Sequence, residues 1–573
     1  MRRPLIIQVM LFAMGIATSL VLMLRGNLME APFGILFSPF VGLLAQVEWV
    51  LLVQPLSILI LIAGIVSFAL FVLFPGLILS YLIYPHLLIY TRVLIGTFLT
   101  LILIYFPTTV FLLLGIPPPF FLLGGPISLS LAMILFRPAL LGQLQRDVIK
   151  WLSWLRHDVT DRSHAWFWMA VSFLVLTRLA LFSFTDSYSS DSAAYVDYSR
   201  AIGMGIFLRG YEIVHPPGYP LLCMPFVWMS GGPTWGLAVA SWVLASIALF
   251  GAVPLVDRLR RNWPTTRKPP LRVLVLTVLS VPWLTILMSS ILSESTLLFL
   301  TLVGACSVGE RLTHREALLG LASGLAYLVR PTHALMFISF MIWPLWENRG
   351  SAVMFVKTGL RSLTVVLPVA PRLIRNLLVK GVLLDEPDLQ FFGMHNVVPV
   401  ARVIVSFVIN SDYGFFPLLF LFPLLWVLPG VVRRIGKLSS EILSWILFCV
   451  LSTTTFLLWP TLQPRFFAFM IWMVPTVLVL EAWQREWYLV VYSLIGWMLL
   501  IVGAIQYSST GWLIDMSSSH LTLVPGIVRE YPDPLLLMAA PLGLVALLIL
   551  LSYDVGWSSR PSRLSVDSPV PER

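Results

Sequence analysis

Long apolar runs alternate with short polar intervals over nearly the whole chain. About 20 apolar residues are needed to cross a bilayer core, and several runs reach that length. The pattern predicts a first span at Leu5–Leu24, entered from Met1-Arg2-Arg3 and left at Arg25 without a cleavage-type sequence. Further spans are expected at Val50–Phe74, Ile89–Leu114 and Phe120–Phe136, with Pro55 and Pro107 as kinks and Pro75 and Pro85 as the break between two helices. Gln143–His164 then mixes Arg146, Lys150, Arg156 and Arg162 with Trp151, Leu152, Trp154 and Leu155, the pattern of an amphipathic helix lying on the cytoplasmic interface.

Beyond Ala165 the alternation resumes. Apolar stretches are expected as helices at Ala165–Phe184, Trp235–Val256, Leu271–Met288, Thr296–Val308, Ala317–Val329 and Leu335–Trp346. Later ones fall at Ser362–Val369 with its flanks, Gly414–Val431, Ile442–Trp459, Phe466–Leu480, Tyr488–Ile505 and Leu535–Leu551. Tyr219–Met229 is too short to span. The expected fold class is an all-α polytopic membrane protein of about 14 to 16 helices with no large soluble domain. It divides into an N-terminal module (1–137), an amphipathic linker (138–164), a transmembrane body (165–552) and a polar Ser/Pro-rich tail (553–573).

Composition agrees: 58% of the 573 residues are hydrophobic and 11% charged, against about 25% charged in a soluble domain. The net charge of +10 reads as topology, with Lys and Arg holding cytoplasmic loops, and not as nucleic-acid binding. Asp257–Arg272 carries the strongest such cluster. Cys223, Cys306 and Cys449 lie far apart in apolar runs without a metal-ligand spacing, and no histidine pair or phosphate-cradling glycine loop occurs. No cofactor is called for, no metal ligand set is visible, and a divalent metal stays open.

Placing each basic cluster inside gathers the remaining polar stretches on the outer side. These are Asp186–His215, Ser289–Glu294, Arg330-Pro331, Arg372–Tyr413 and Pro460–Arg465. The first is the longest polar interval in the middle of the chain, and charge held against membrane helices is costly unless it works. Asp191 and Tyr195, four apart, share one face of a helix. His215-Pro-Pro-Gly-Tyr-Pro220 pins an extended segment.

These motifs resemble the polytopic glycosyltransferases of the GT-C fold, in the branch of the protein O-mannosyltransferases and the lipid A aminoarabinose transferase. An Asp with a Tyr four residues on, and an H/K-P-P-x-Y-P-like segment after it, are features of that family. Ser293-Glu294 at a helix start, Gly320–Pro331, the Pro371–Gly381 segment with Arg375-Asn376, and Gln463–Phe467 follow in the family's order. The resemblance covers roughly residues 165–550. Three features depart from it: several helices precede the polar loop, Ser192 follows Asp191 where the family often has a second acid, and the loop offers Asp186 and Asp197 as rival carboxylates.

The resemblance implies sugar transfer from a polyprenyl-phosphate-linked donor to an acceptor hydroxyl on a protein, lipid or glycan. It implies the outer face of the cell membrane and inversion at the sugar carbon. Asp191 would be the general base, with Asp186 and Asp197 as alternatives. Tyr195, His215, Glu294, Arg330, Arg372, Arg375 and Arg465 would bind substrate, the arginines facing the phosphate. Membrane lipids are the other expected partners, and nucleic acid is not one. Two other classes stay open. They are a transporter or flippase of a lipid-linked substrate, disfavoured by the lack of an internal repeat, and an assembly subunit without activity.

Overall fold

The computed structural model describes residues 55–161, parts of 164–175, 190–208, 216–279 except 266–267, and positions 284 and 288. It further describes 291–382 except 311 and 313, 430–457 except 431, 469–483 except 471, and the short stretches 512–515 and 522–525. Leu5–Leu24, Asp186, His215, Arg465 and the tail lie outside these residues.

In the N-terminal third, α1 (Pro55–Phe68) runs through a π-helical segment (Ala69–Leu73) into α2 (Phe74–Ile83). Leu59–Ile83 is thus one continuous apolar helix. The expected break at Pro75 is not there: the proline falls in the first turn after the π segment, where the wider register tolerates its missing N–H. The break comes at Pro85. α3 (Ile89–Leu114) follows with the boundaries expected of it and ends on Gly115 in the left-handed conformation. After a 3₁₀ turn (Phe120–Leu123), α4 (Gly124–Phe136) leads into α5 (Ala139–Thr160), which turns away by 104°.

The body comprises α6 (Ser190–Gly203), α7 (Gly218–Ser230), α8 (Pro233–Asn262), α9 (Leu271–Leu279), α10 (Glu294–Gly309), α11 (Arg315–Val329) and α12 (Ala334–Glu347). α13 (Ala352–Ser362) and α14 (Val366–Lys380), joined by a 3₁₀ turn, form one apolar helix long enough to span. α15 (Ser440–Leu457) and α16 (Met473–Ala482) complete the described helices. A short antiparallel hairpin, β1 (Trp512–Asp515) with β2 (Thr522–Pro525), pairs Trp512 with Pro525. The chain is otherwise helical where described, a polytopic membrane protein with at least four helices long and apolar enough to cross.

The N-terminal helices and the body share one core. Phe68 stacks on Phe226 (5.5 Å), Phe98 lies against Phe299, and Tyr90 packs on Phe250. Tyr105 Oη donates to Pro368 O at 2.7 Å, across 263 residues of sequence. Small residues set the closest approaches. A Cβ on Gly324 would lie 2.3 Å from Val365 O, and one on Gly320 2.3 Å from Thr364 Oγ1. These glycines let α11 press onto the turn between α13 and α14. Contact advances together along both chains, so α11 and α14 run in the same direction.

The charges sort to two ends. At one, Arg258 at the end of α8 pairs with Glu310 (3.0 Å) and Glu441 (3.3 Å), at the end of α10 and the start of α15. Trp263 Nε1 donates to Glu481 Oε1 at 2.8 Å, and Arg434 pairs with the same carboxylate. Arg315 pairs with Glu347, and Arg272 with Asp158. α10 separates this network from Glu294 by its 16 residues, roughly 24 Å at the helical rise.

Candidate functional site

The end opposite the Arg258 network gathers residues from three separate parts of the sequence. α6 brings Asp191 in its first turn and Tyr195 one turn later. The helix is anchored by Ser192 Oγ, which donates to Ile291 O at 3.0 Å just before α10. Asp191 is half-buried and Tyr195 buried. The Tyr195 ring stands edge-on to Tyr219 with centroids 4.9 Å apart. Tyr219 Oη in turn hydrogen-bonds Ser241 Oγ (2.9 Å) and donates to Leu237 O (3.1 Å), which fixes that ring against α8.

The sequence Pro216-Pro217-Gly218-Tyr219 has a local reason. A Cβ on Gly218 would come within 2.5 Å of Leu328 C and Val329 N. Only glycine lets the start of α7 touch the end of α11. That contact sets Tyr219 next to α6.

α10 opens with Glu294, whose side chain is 2% exposed, and Arg330 at the end of α11 is 16% exposed. Arg330 Nη2 donates to Glu294 Oε1 at 2.7 Å. A carboxylate in the first turn of a helix also meets the partial positive charge of its free amides. Tyr195 senses this group: burial, then the Asp191 and Glu294 carboxylates, push its phenol above the ordinary range, while a hydrogen bond with Ser293 and the Arg330 charge oppose them. Tyr195 is therefore a neutral hydroxyl at physiological pH. Asp191, Tyr195, Ser293, Glu294 and Arg330 form one electrostatic cluster.

His333 follows in the turn Pro331–His333, its ring edge-on to Phe469 (5.5 Å) and Phe448 (5.9 Å). Burial and then Arg330 lower its pKa to about 3, so the imidazole is neutral. Sequence reading passed over His333, Ser293's contact with Tyr195, and the stacking role of Tyr219. The nearest signal for His333 was its place three residues after Arg330, in the same turn.

Arg372 and Arg375 differ from the expected outer polar loop. Both lie on α14, and both side chains are buried, with Arg375 Nη1 donating to Asn376 Oδ1 at 3.2 Å. The helix continues past them to Lys380 and stops at Gly381, in the left-handed conformation. Because α11 and α14 run the same way from the Gly324–Pro368 contact, a further one to two turns brings Arg330 and Arg372–Arg375 to a similar level. The outer surface of α14 is apolar instead: Leu367, Ile374, Leu377 and Leu378 are exposed.

Asp197 stands apart from the cluster. It is 52% exposed and pairs with Arg200 on its own helix at 2.8 Å. Asp186, His215 and Arg465 fall outside the described residues. No group of three or more His, Cys, Asp or Glu residues placed to hold a metal ion occurs among the described residues.

No family model, no curated protein and no solved structure matches the chain.

Proposed function

We propose that this protein is a membrane glycosyltransferase that moves a sugar from a polyprenyl-phosphate donor to an acceptor hydroxyl, at the face of the cell membrane opposite its basic loops. The observation that carries the reading is the convergence of Asp191, Tyr195, Glu294 and Arg330 from three distant segments at a single end of the bundle. The opposite end holds Arg258, Arg272, Arg315, Arg361 and Arg434. By the positive-inside rule that end is cytoplasmic and the cluster is external.

The chemistry follows from the groups. Asp191 is half-buried and has water or substrate access that Glu294 lacks. As general base it takes the acceptor hydroxyl proton while that oxygen forms a bond to the anomeric carbon. The carbon–oxygen bond to the donor phosphate breaks, and the electron pair leaves with the polyprenyl phosphate. One displacement inverts the anomeric centre. Arg330, oriented by Glu294, belongs to the same electrostatic cluster as the base. Arg372 and Arg375, at a similar level on α14, add positive charge for the leaving phosphate. Tyr195, neutral, buried and held by Tyr219 and Ser293, backs the cluster beside Asp191.

The test is polyprenyl phosphate release by the purified full chain from a panel of polyprenyl-phosphate sugars, with and without candidate acceptors. Asp191→Asn should lower turnover by about 10²–10⁴ at unchanged thermal stability, whereas Asp197→Asn should stay close to wild type. Wild-type turnover in Asp191→Asn would move the base elsewhere. Release from no donor in the panel would reject the glycosyltransferase reading.

A further inference from the structure

Helix α5 divides into three stripes. Leu140, Leu144, Asp147, Trp151 and Asp158 recur at helical spacing and face the bundle, with Leu140, Leu144 and Asp158 buried. Trp151 stands edge-on to Phe250 of α8. About a quarter-turn round, Leu141, Val148, Leu152 and Val159 form a second stripe, all exposed. On the far side Arg146, Lys150, Ser153 and His157 form a third, also exposed, with Arg156 between the second and third.

The two acids of this helix are spent inward. Asp147 Oδ2 accepts from Tyr81 Oη at 2.6 Å. Asp158 accepts from Trp168 Nε1 at 3.0 Å and pairs with Arg272 and with His164. All three bases, Arg146, Lys150 and Arg156, point outward. The charged side chains of the outward surface are therefore all basic, beside an apolar stripe. The helix turns from α4 by 104° and sits at the end that carries the Arg258 network, since Asp158 pairs with Arg272 beside it.

We propose that α5 binds the anionic phospholipids of the inner leaflet. Its Leu141–Val159 stripe inserts among the acyl chains, and Arg146, Lys150 and Arg156 contact headgroup phosphates. The charge selects anionic over zwitterionic lipid, because each base near such a surface contributes about fivefold in binding. The bundle-facing stripe holds the helix in register, so the bases stay at headgroup level.

The experiment offers the purified full chain equal amounts of phosphatidylglycerol and phosphatidylcholine of the same acyl chains and counts retained lipids by native mass spectrometry. Wild type should retain phosphatidylglycerol preferentially. Arg146→Gln/Lys150→Gln, two exposed positions whose loss should not unfold the chain, should cut that preference about tenfold or more. A control, Arg433→Gln/Lys437→Gln, removes the same charge from another exposed segment of the same end and should change it less than twofold. Equal retention of both lipids by wild type would overturn the proposal. So would an equal loss in the control pair, which would mean net charge alone is read. Displacement of the lipid by glycerol 1-phosphate at matched concentration would point to a soluble-phosphate site and would also overturn it.

Discussion

Arg330→Ala removes one half of a nearly dry ion pair, and its cost can be worked from the structure. The two side chains are 16% and 2% exposed and meet at 2.7 Å. Stranding a buried charge typically costs about 3–5 kcal/mol. Glu294 sits in the first turn of α10, and the helix amides return about 1 kcal/mol of that. A net loss of about 2–4 kcal/mol is expected, or a fall of roughly 2–3 °C in melting temperature for a chain of 573 residues. Glu294→Gln should cost less, about 1 kcal/mol, because the stranded Arg330 keeps solvent access and a neutral amide still accepts its hydrogen bond. The double variant should be less destabilised than Arg330→Ala alone, with a coupling of about 1–2 kcal/mol. Thermal unfolding in one detergent, followed by intrinsic fluorescence, measures all four corners of the cycle. A melting temperature for Arg330→Ala equal to wild type, or losses that simply add, would refute the pair as the element that fixes the site.

Two glycine tests probe how the site end is assembled. Gly324→Ala puts a methyl 2.3 Å from Val365 O, backbone that cannot step aside, and should cost about 1–3 kcal/mol in thermal unfolding; no change would mean α11 and α14 are not in contact there. Gly205→Ala meets both a positive φ of 76° and Pro117 N at 2.5 Å, and should be destabilising by more than about 1 kcal/mol. Gly203→Ala, two residues away with open space at its Cβ, should be neutral or slightly stabilising, and equal effects from the two would reject the contact.

Hydropathy located most of the described helices because length and apolar continuity are properties of the sequence itself. Ile89–Leu114 came out with its observed ends. Trp235–Val256 came out short, since α8 runs on to Asn262 through Asp257, Arg260 and Arg261. Those charges are stabilised by pairing with one another and, for Arg258, with Glu310 and Glu441, contacts that no local window contains. The same limit hid Tyr105's bond to Pro368. Asp191 and Tyr195 were legible as a pair because four-residue spacing is local. Their meeting with Glu294 and Arg330 was anticipated as common sidedness, while the Glu294–Arg330 bond itself depends on how α10 and α11 pack. The burial of Arg372 and Arg375 was missed for a related reason. A polar residue near the end of an apolar run reads as loop, whereas here the helix continues and turns its polar face inward.

That inward turn bears on what this end of the bundle is for. α14 shows lipid-like surface outward, in Leu367, Ile374, Leu377 and Leu378, and hides Arg372, Arg375 and Asn376. Ionised side chains withdrawn from water cost several kcal/mol unless compensated, and a helix needing only stability could carry apolar residues at those positions. Among the described residues of this end, three arginines (Arg330, Arg372, Arg375) stand against two carboxylates of the cluster (Asp191, Glu294), since Asp197 and Arg200 cancel each other. Glu294 is committed to Arg330. Three arginines and two carboxylates thus gather at one end of a membrane bundle, beside an apolar helix face. The proposed polyprenyl-phosphate donor would suit both features: its phosphate would meet the arginines while its chain lay along the apolar side of α14. A soluble phosphate would satisfy only the first.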